Sequence, residues 1–225
     1  MHRNCAGLIR SYHFRMWKWS RIGALTALLI GVSPSVNEPF GVATVPAPDG
    51  DLTTIWQRLE PAIHADELTI AACRADPTCD SPAALRLIAI VHEAMRYEGR
   101  ARIAHINRSI NEAIPATRHD TPWMPPLKAM ATSGDCKSYA VVKYATLGDA
   151  GIAPADRRLV IVWDRAHPQE THLILVVRVA QQWLILDDDT STLVESTCKP
   201  NYEPLHMLDE TGVRNFTSPT HGAGS

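Results

Sequence analysis

A cysteine that follows a Gly-Asp pair and opens a helical run is the residue of this 225-residue sequence best suited to act as a nucleophile. In Gly134-Asp135-Cys136-Lys137-Ser138-Tyr139-Ala140-Val141-Val142-Lys143-Tyr144, apolar residues at 136, 140, 144 and 147 recur at helical spacing, so Cys136 falls in the first turn. The partial positive charge and free backbone N–H groups of a helix N-terminus favour a thiolate and can hold a developing oxyanion. Buried cysteines near helix starts are also common as inert small hydrophobes, so the chemistry depends on partners downstream.

Two segments supply them. Thr171 to Val179 and Trp183 to Asp189 are apolar runs rich in branched residues, the first opened by His172 and the second closed by Asp187, Asp188 and Asp189. A thiol, an imidazole and a carboxylate in this chain order can attack a carbonyl, shuttle the proton and orient the imidazole, respectively. The two runs form a hairpin candidate joined through Val179-Ala180-Gln181-Gln182. Side chains alternate across a strand, which makes the register a test. If Arg178 pairs with Trp183, Ile174 pairs with Asp187 and His172 lies diagonally beside Asp187; a slip of one puts Asp188 there instead.

Other histidines compete poorly. His167 precedes Pro168 in a polar connector and reads as exposed, while His64, His92 and His105 fall in helical regions without a cysteine or carboxylate partner.

The elements that must position these groups follow from pattern. Ser33 to Asp51 is rich in proline and glycine and reads as an extended lead segment. Pro61 argues against one helix over Thr53–Ala75, leaving an irregular stretch and a short helix from about Ala65. Ser81-Pro82 supplies an N-cap and first-turn proline for a helix with Leu85, Ile88, Val91 and Met95 on one face, ended by Gly99. A second helix, Arg102 to Ala113, buries Ile103, Ile106, Ile110 and Ala113. Asn107 and Asn111 lie one turn apart on it, either reaching backbone groups of the loop beyond or standing in solvent. Pro115 to Ser133 is a long proline-rich loop in which Trp123 is a candidate cleft wall or a plug on the core. Arg158 to Trp163 is a further strand, Leu193 to Phe216 a short strand or two, and Thr217 to Ser225 a disordered tail.

Composition narrows the class. With 45% hydrophobic residues and a formal charge of −2, the chain can build one moderate core and offers nucleic acid no basic surface. There is no repeat and no glycine-rich phosphate loop. Arg3, Arg10, Arg15, Lys18 and Arg21 precede the apolar run Ile22 to Val32 and then Ser33-Pro34-Ser35, which reads as a secretory leader over 1–35 and gives a periplasmic product; an uncleaved anchor is the alternative. Cys5 falls in that leader. Cys73 and Cys79 bracket a turn-forming spacer and are the expected disulfide of an oxidising compartment, leaving Cys136 and Cys198 as the remaining pair of thiols.

Over roughly Pro39 to Phe216 the chain resembles the bacterial transglutaminase-like cysteine proteinases, among them periplasmic proteases that release biofilm adhesins. The resemblance rests on Pro39-Phe40-Gly41, Asn107 and Asn111, Trp123 with Pro125-Pro126-Leu127, Gly134-Asp135-Cys136 with Tyr139-Ala140 and Lys143-Tyr144, His172, and Leu184-Ile185-Leu186-Asp187. It implies an α+β, papain-like or transglutaminase-like fold: a helical N-terminal half followed by an antiparallel sheet, with the domain over 53–216 after a lead segment 36–52. It also implies Cys136 as nucleophile, His172 as general base and acid, and Asp187 as orienting carboxylate. Trp123, Asn107 and Asn111 are support residues, the substrate is a protein such as a cell-surface adhesin, an inner-membrane receptor is a regulatory partner, and the enzyme is a monomer. Where family members commonly read Gly-Asp-Cys-Glu-Asp, and acidic residues help hold calcium, this chain has Lys137 and Ser138. An ammonium repels a hard cation, so calcium at Asp135 is disfavoured, and the Lys137 charge is free to favour the thiolate. The triad chemistry requires no cofactor. Two rival readings are an acyl transferase of the same fold, which passes the acyl group to an amine, and a binding module that has lost activity.

Overall fold

The helix that begins at Cys136 is buried on every side. The computed structural model describes residues 38–117, 120–169 and 171–217, and in it α5 (Cys136–Asp149) is buried continuously from Ser138 to Leu147. A helix hidden all round is an axis of the core rather than a surface element. Helices pack around it: α1 (Asp51–Ala75), α2 (Pro82–Ala94), α3 (Gly99–Ala113) and the short α4 (Pro126–Ala131). Its other side meets the sheet, chiefly β2 (Arg157–Asp164) and β3 (Thr171–Val179). The core therefore joins Leu87, Ile106, Ile110 and Val141 to Leu173, Leu175 and Leu186.

The sheet is antiparallel throughout and seven-stranded. It also contains β1 (Thr44–Pro46), β4 (Gln182–Leu186), β5 (Val194–Glu195), β6 (Tyr202–Asp209) and β7 (Gly212–Phe216), in the order β1-β7-β6-β2-β3-β4-β5. Its second face carries another apolar cluster, with Ile174, Val176, Trp183, Ile185 and Met207 flanked by Phe40 and Phe216. Covered on both faces, β3 reads as an unbroken apolar run rather than an alternating one. This is the α+β transglutaminase-like arrangement, helices first and antiparallel sheet second.

Several local expectations need correction. Pro61 lies inside the 25-residue α1. Its side chain is exposed, and so is Gln57, whose carbonyl loses its helical donor; water can satisfy that oxygen. Packing of Trp56, Leu59, Ile63 and Ile70 on both sides of the proline holds the helix together. The lead segment is more than an extended approach, because β1 pairs with β7 and closes one sheet edge.

In α2 the Ser81 cap and Pro82 are as expected, with Ser81 Oγ accepting from Ala84 N at 3.4 Å. The buried face is Ala84, Leu87, Val91 and Ala94, whereas Leu85 and Met95 are exposed. Apolar residues ring this helix so widely that periodicity admits two faces, and the small alanines allow the closer approach. Gly99 does not end α2; it starts α3 in the left-handed region, at φ +50°. The long loop before Cys136 contains α4, anchored by Asp66 of α1, which accepts from Leu127 N at 2.8 Å.

Cys73 and Cys79 form a disulfide between α1 and α2. Cys136 is the free cysteine among the described residues, so Cys198 is not the second free thiol that spacing suggests. No helix among the described residues is long and apolar enough to cross a membrane. The leader over 1–35 and the tail from 218 lie outside the described residues.

Candidate active site

Asp135 builds the turn that presents Cys136. As N-cap of α5 it accepts from Lys137 N at 3.1 Å through Oδ1, while its Oδ2 accepts from Thr121 N at 2.9 Å. Gly134 is needed because the chain passes so close: a Cβ there would lie 2.3 Å from Ser138 Cβ. Its N–H donates to Pro115 O and its carbonyl accepts from Thr117 N, each at 2.9 Å, which ties the turn before Cys136 to the segment after α3.

The hairpin fixes the other two groups. Arg178 pairs with Trp183 and Leu175 with Leu186, the register that puts Asp187 opposite Ile174 and His172 one diagonal step away. The joining turn is tighter than a four-residue loop. Val179 pairs with Gln182, and Ala180 and Gln181 turn the chain at φ 49° and 66°, the left-handed pair a two-residue hairpin requires. The strand ends at Leu186, so the three aspartates lie in the bend beyond it.

His172 Nε2 donates to Asp187 Oδ1 at 2.8 Å and lies 3.5 Å from Asp188 Oδ1. Cys136 lines the same cleft and is near enough to His172 to help raise the imidazole pKa, and the ring nitrogen not used by Asp187 is available to it. The structure thus brings Cys136, His172 and Asp187 together in the expected order. The imidazole is shielded from water, which opposes its charge, yet Asp187 and Cys136 outweigh this and raise its pKa to about 10. Asp187 is likewise buried, which opposes ionisation, but His172 and the Tyr202 hydroxyl hold it well below the usual carboxylate range. Asp188 is shifted the other way, burial raising its pKa, which suits it less to pair with imidazolium.

Sequence reasoning misses two residues of this site. Tyr202 donates its hydroxyl to Asp187 Oδ2 at 2.6 Å. It sits on β6, next to β2 in the sheet, and nothing local in sequence announces that neighbourhood. Lys143 is wholly buried, and its ammonium donates to the Asp187 backbone carbonyl at 2.9 Å. Burial lowers its pKa to about 8 against the pull of Asp188, Asp187 and Asp189. A lysine on the third turn of a buried helix is the one available signal.

Asn107 and Asn111 do reach backbone carbonyls, but those of the aspartate bend rather than of the loop after α3. Asn107 Nδ2 donates to Thr190 O at 3.0 Å and Asn111 Nδ2 to Asp187 O at 2.9 Å. With Lys143 they pin residues 187–190 to α3 and α5. Lys143→Met should therefore leave Tm within a few degrees of wild type, because losing a buried charge offsets the lost hydrogen bond, yet slow turnover about tenfold as the bend loosens. Thermal melts paired with turnover rates check this.

A cleft of about 1050 Å³ opens over Cys136 and His172, with Trp123, Lys137, Asp188 and Leu173 among its walls. Trp123 is half-buried, packing on the core while lining the cleft, so it serves as both plug and wall. His167 also borders the cleft, but its partner is Asp164, 2.9 Å from its Nδ1.

Beside Cys136 the residues do not fit a calcium ion. The Lys137 ammonium lies 2.6 Å from Asp135 Oδ2 and 2.6 Å from Asp120 Oδ1, filling the place between the two carboxylates. Its close contacts are thus with these carboxylates, although its charge also acts on Cys136.

A half-buried thiol at a helix start, sharing a cleft with an imidazole on one strand that bonds a carboxylate beyond the next, is the constellation of the transglutaminase-like fold. The bacterial transglutaminase-like cysteine proteinase family matches residues 77–214, more than half of the sequence, and the chain belongs to it. Among solved structures it is similar to Legionella pneumophila LapG, at 17% identity and a TM-score of 0.53 over 68% of this chain and 87% of that one. The calcium-bound form of LapG matches at 16% identity and a TM-score of 0.53, over 74% and 94% of the two chains. The EGTA-treated form matches at 16% and 0.55, over 69% and 86%. Identities this low establish shared fold. No curated protein matches the chain.

Proposed function

We propose that the protein is an exported cysteine peptidase that hydrolyses peptide bonds of a protein substrate through Cys136, His172 and Asp187. The observation that carries this reading is that Cys136 and His172 line one cleft while His172 Nε2 donates to Asp187 Oδ1 at 2.8 Å. The raised pKa of His172 supports an imidazolium beside the Cys136 sulfur at neutral pH.

In the proposed reaction the sulfur lone pair attacks the scissile carbonyl carbon, and the carbonyl π electrons move to oxygen. The N–H groups of Lys137 and Ser138 already donate to Asp135 Oδ1 and Asp135 O, so the backbone N–H of Cys136 is the candidate oxyanion donor. The oxyanion collapses, the C–N bond breaks, and His172 gives its proton to the leaving amine. Water then attacks the thioester while neutral His172 takes a proton from it, and the thiolate leaves. Asp187, held by Tyr202, keeps the imidazole oriented through both steps. Every role belongs to a side chain or backbone group, so the chemistry needs no metal.

Export rests on the basic and apolar leader pattern of 1–35. Family membership supports a cell-surface protein of the adhesin kind as substrate and an inner-membrane regulatory receptor as partner. The test is product analysis: the mature protein is incubated with an outer-membrane protein extract in ¹⁸O-water, with and without a primary amine. New protein C-termini carrying ¹⁸O in both samples are expected. Amine-capped products would make the enzyme an acyl transferase, and no new termini would make it a binding module; either result overturns the reading.

A further inference from the structure

Lys137 stands beside the reacting thiol, yet the chemistry above gives it no task. Its side chain and that of Asp135 are only 17% and 14% exposed, whereas the Asp120 carboxylate at the other end is 93% exposed. The inner arm of this bridge is therefore the stronger, because water screens the outer one. Asp135 also accepts from Thr121 N, the residue after Asp120. One carboxylate and one ammonium thus fasten both Asp120 and Thr121 to the first turn of α5.

We propose that the Lys137 ammonium is the resident cation of this site: it clamps the cleft wall at Asp120 and Thr121 to the turn presenting Cys136, and stands where a divalent metal would have to sit. The ligand count supports this. A calcium ion takes six to eight oxygens at roughly 2.3–2.6 Å. Here the Asp135 oxygens are committed to Lys137 and Thr121, and Ser138 is buried with its Cβ and Oγ crowding Gly134. An ammonium, by contrast, needs only the few acceptors it has. Burial opposes the charge of both Lys137 and Asp135, yet Asp120 and Asp135 raise the Lys137 pKa while Lys137 and Thr121 lower that of Asp135, so both stay ionised.

The consequence is for substrate entry. Trp123 lies two residues beyond Thr121 and lines the cleft, so the clamp sets one wall of it. This rests on reading the cleft as the reacting site, but its test does not use activity.

Amide hydrogen exchange of the peptide containing Thr121 and Trp123, together with Tm, is measured on the mature protein in EGTA and in 1 mM CaCl₂. Wild type is expected to give the same exchange and Tm in both. Lys137→Met should speed exchange of that peptide tenfold or more, in both buffers, with distant helices unchanged. Lys137→Arg, which keeps the charge, should stay within about threefold of wild type. Slower exchange or a higher Tm of wild type in calcium would overturn the proposal. So would unchanged exchange in Lys137→Met, or equal acceleration in the methionine and arginine variants. Failure of the peptidase reading appears separately, as an absence of ¹⁸O-labelled termini.

Discussion

Replacing Cys136 with alanine is expected to abolish the proposed peptide hydrolysis, a loss on the order of 10⁵ to 10⁶-fold in kcat. Alanine offers no lone pair, so no thioester forms, and the residual rate is what binding and the oxyanion donor supply, roughly 10³-fold over water. The fold survives, because Cys136 is small, half-buried and at a helix end whose cap is Asp135. The same variant makes a second mark. His172 keeps Asp187 but loses the Cys136 contact that helps raise its pKa, so its titration should fall below about 10. Turnover assays and NMR titration of the His172 ring check both effects.

Asp187→Asn is expected to lower kcat by about 10³ to 10⁴-fold, the scale seen when an orienting carboxylate of a triad becomes an amide. The amide NH₂ cannot accept from Nε2–H, the tautomer reverses, and the nitrogen facing Cys136 no longer takes a proton. Tyr202 and the backbone pins on residues 187–190 remain, so the fold is kept. The pair also has a stability signature. The raised pKa of His172 contributes stability that is complete below its ordinary 6.5 and fades as pH rises toward about 10. The depressed pKa of Asp187 contributes stability that is complete above its ordinary 3.8 and fades as pH falls below it. Their joint contribution is thus greatest between about pH 4 and 6.5. Asp187→Asn should lower Tm most in that window, which melts taken from pH 3 to 10 would reveal.

What was readable in the sequence follows the range of each signal. A cysteine opening a helical run and a hairpin register are local matters, and the Arg178–Trp183 pairing alone brings His172 beside Asp187. The two-residue turn was not readable, since Ala180 and Gln181 are not the residues that usually adopt left-handed angles. Pro61 misleads because packing of Trp56, Leu59, Ile63 and Ile70 on both sides of it offsets the cost of a helical proline, and that packing is a tertiary fact. Apolar residues all round α2 blur its inner face for the same reason. Tyr202, Lys143 and Asp120 act across strand order or chain separations that no periodicity encodes. The site's reacting groups were thus legible, whereas much of what holds them was not. Lys137 shows the limit plainly: its charge was visible, but not that Asp120 and Asp135 would claim it.

The most direct test of the account is the rate of Cys136 alkylation by iodoacetamide across pH, read by peptide mass spectrometry in wild type, His172→Ala and Asp187→Ala proteins. A working imidazolium–thiolate pair predicts fast alkylation of wild type at pH 6 to 7, slowed at least tenfold without His172 and several-fold without Asp187. Slow alkylation at that pH, unchanged by either substitution, would contradict the account and make Cys136 a structural thiol.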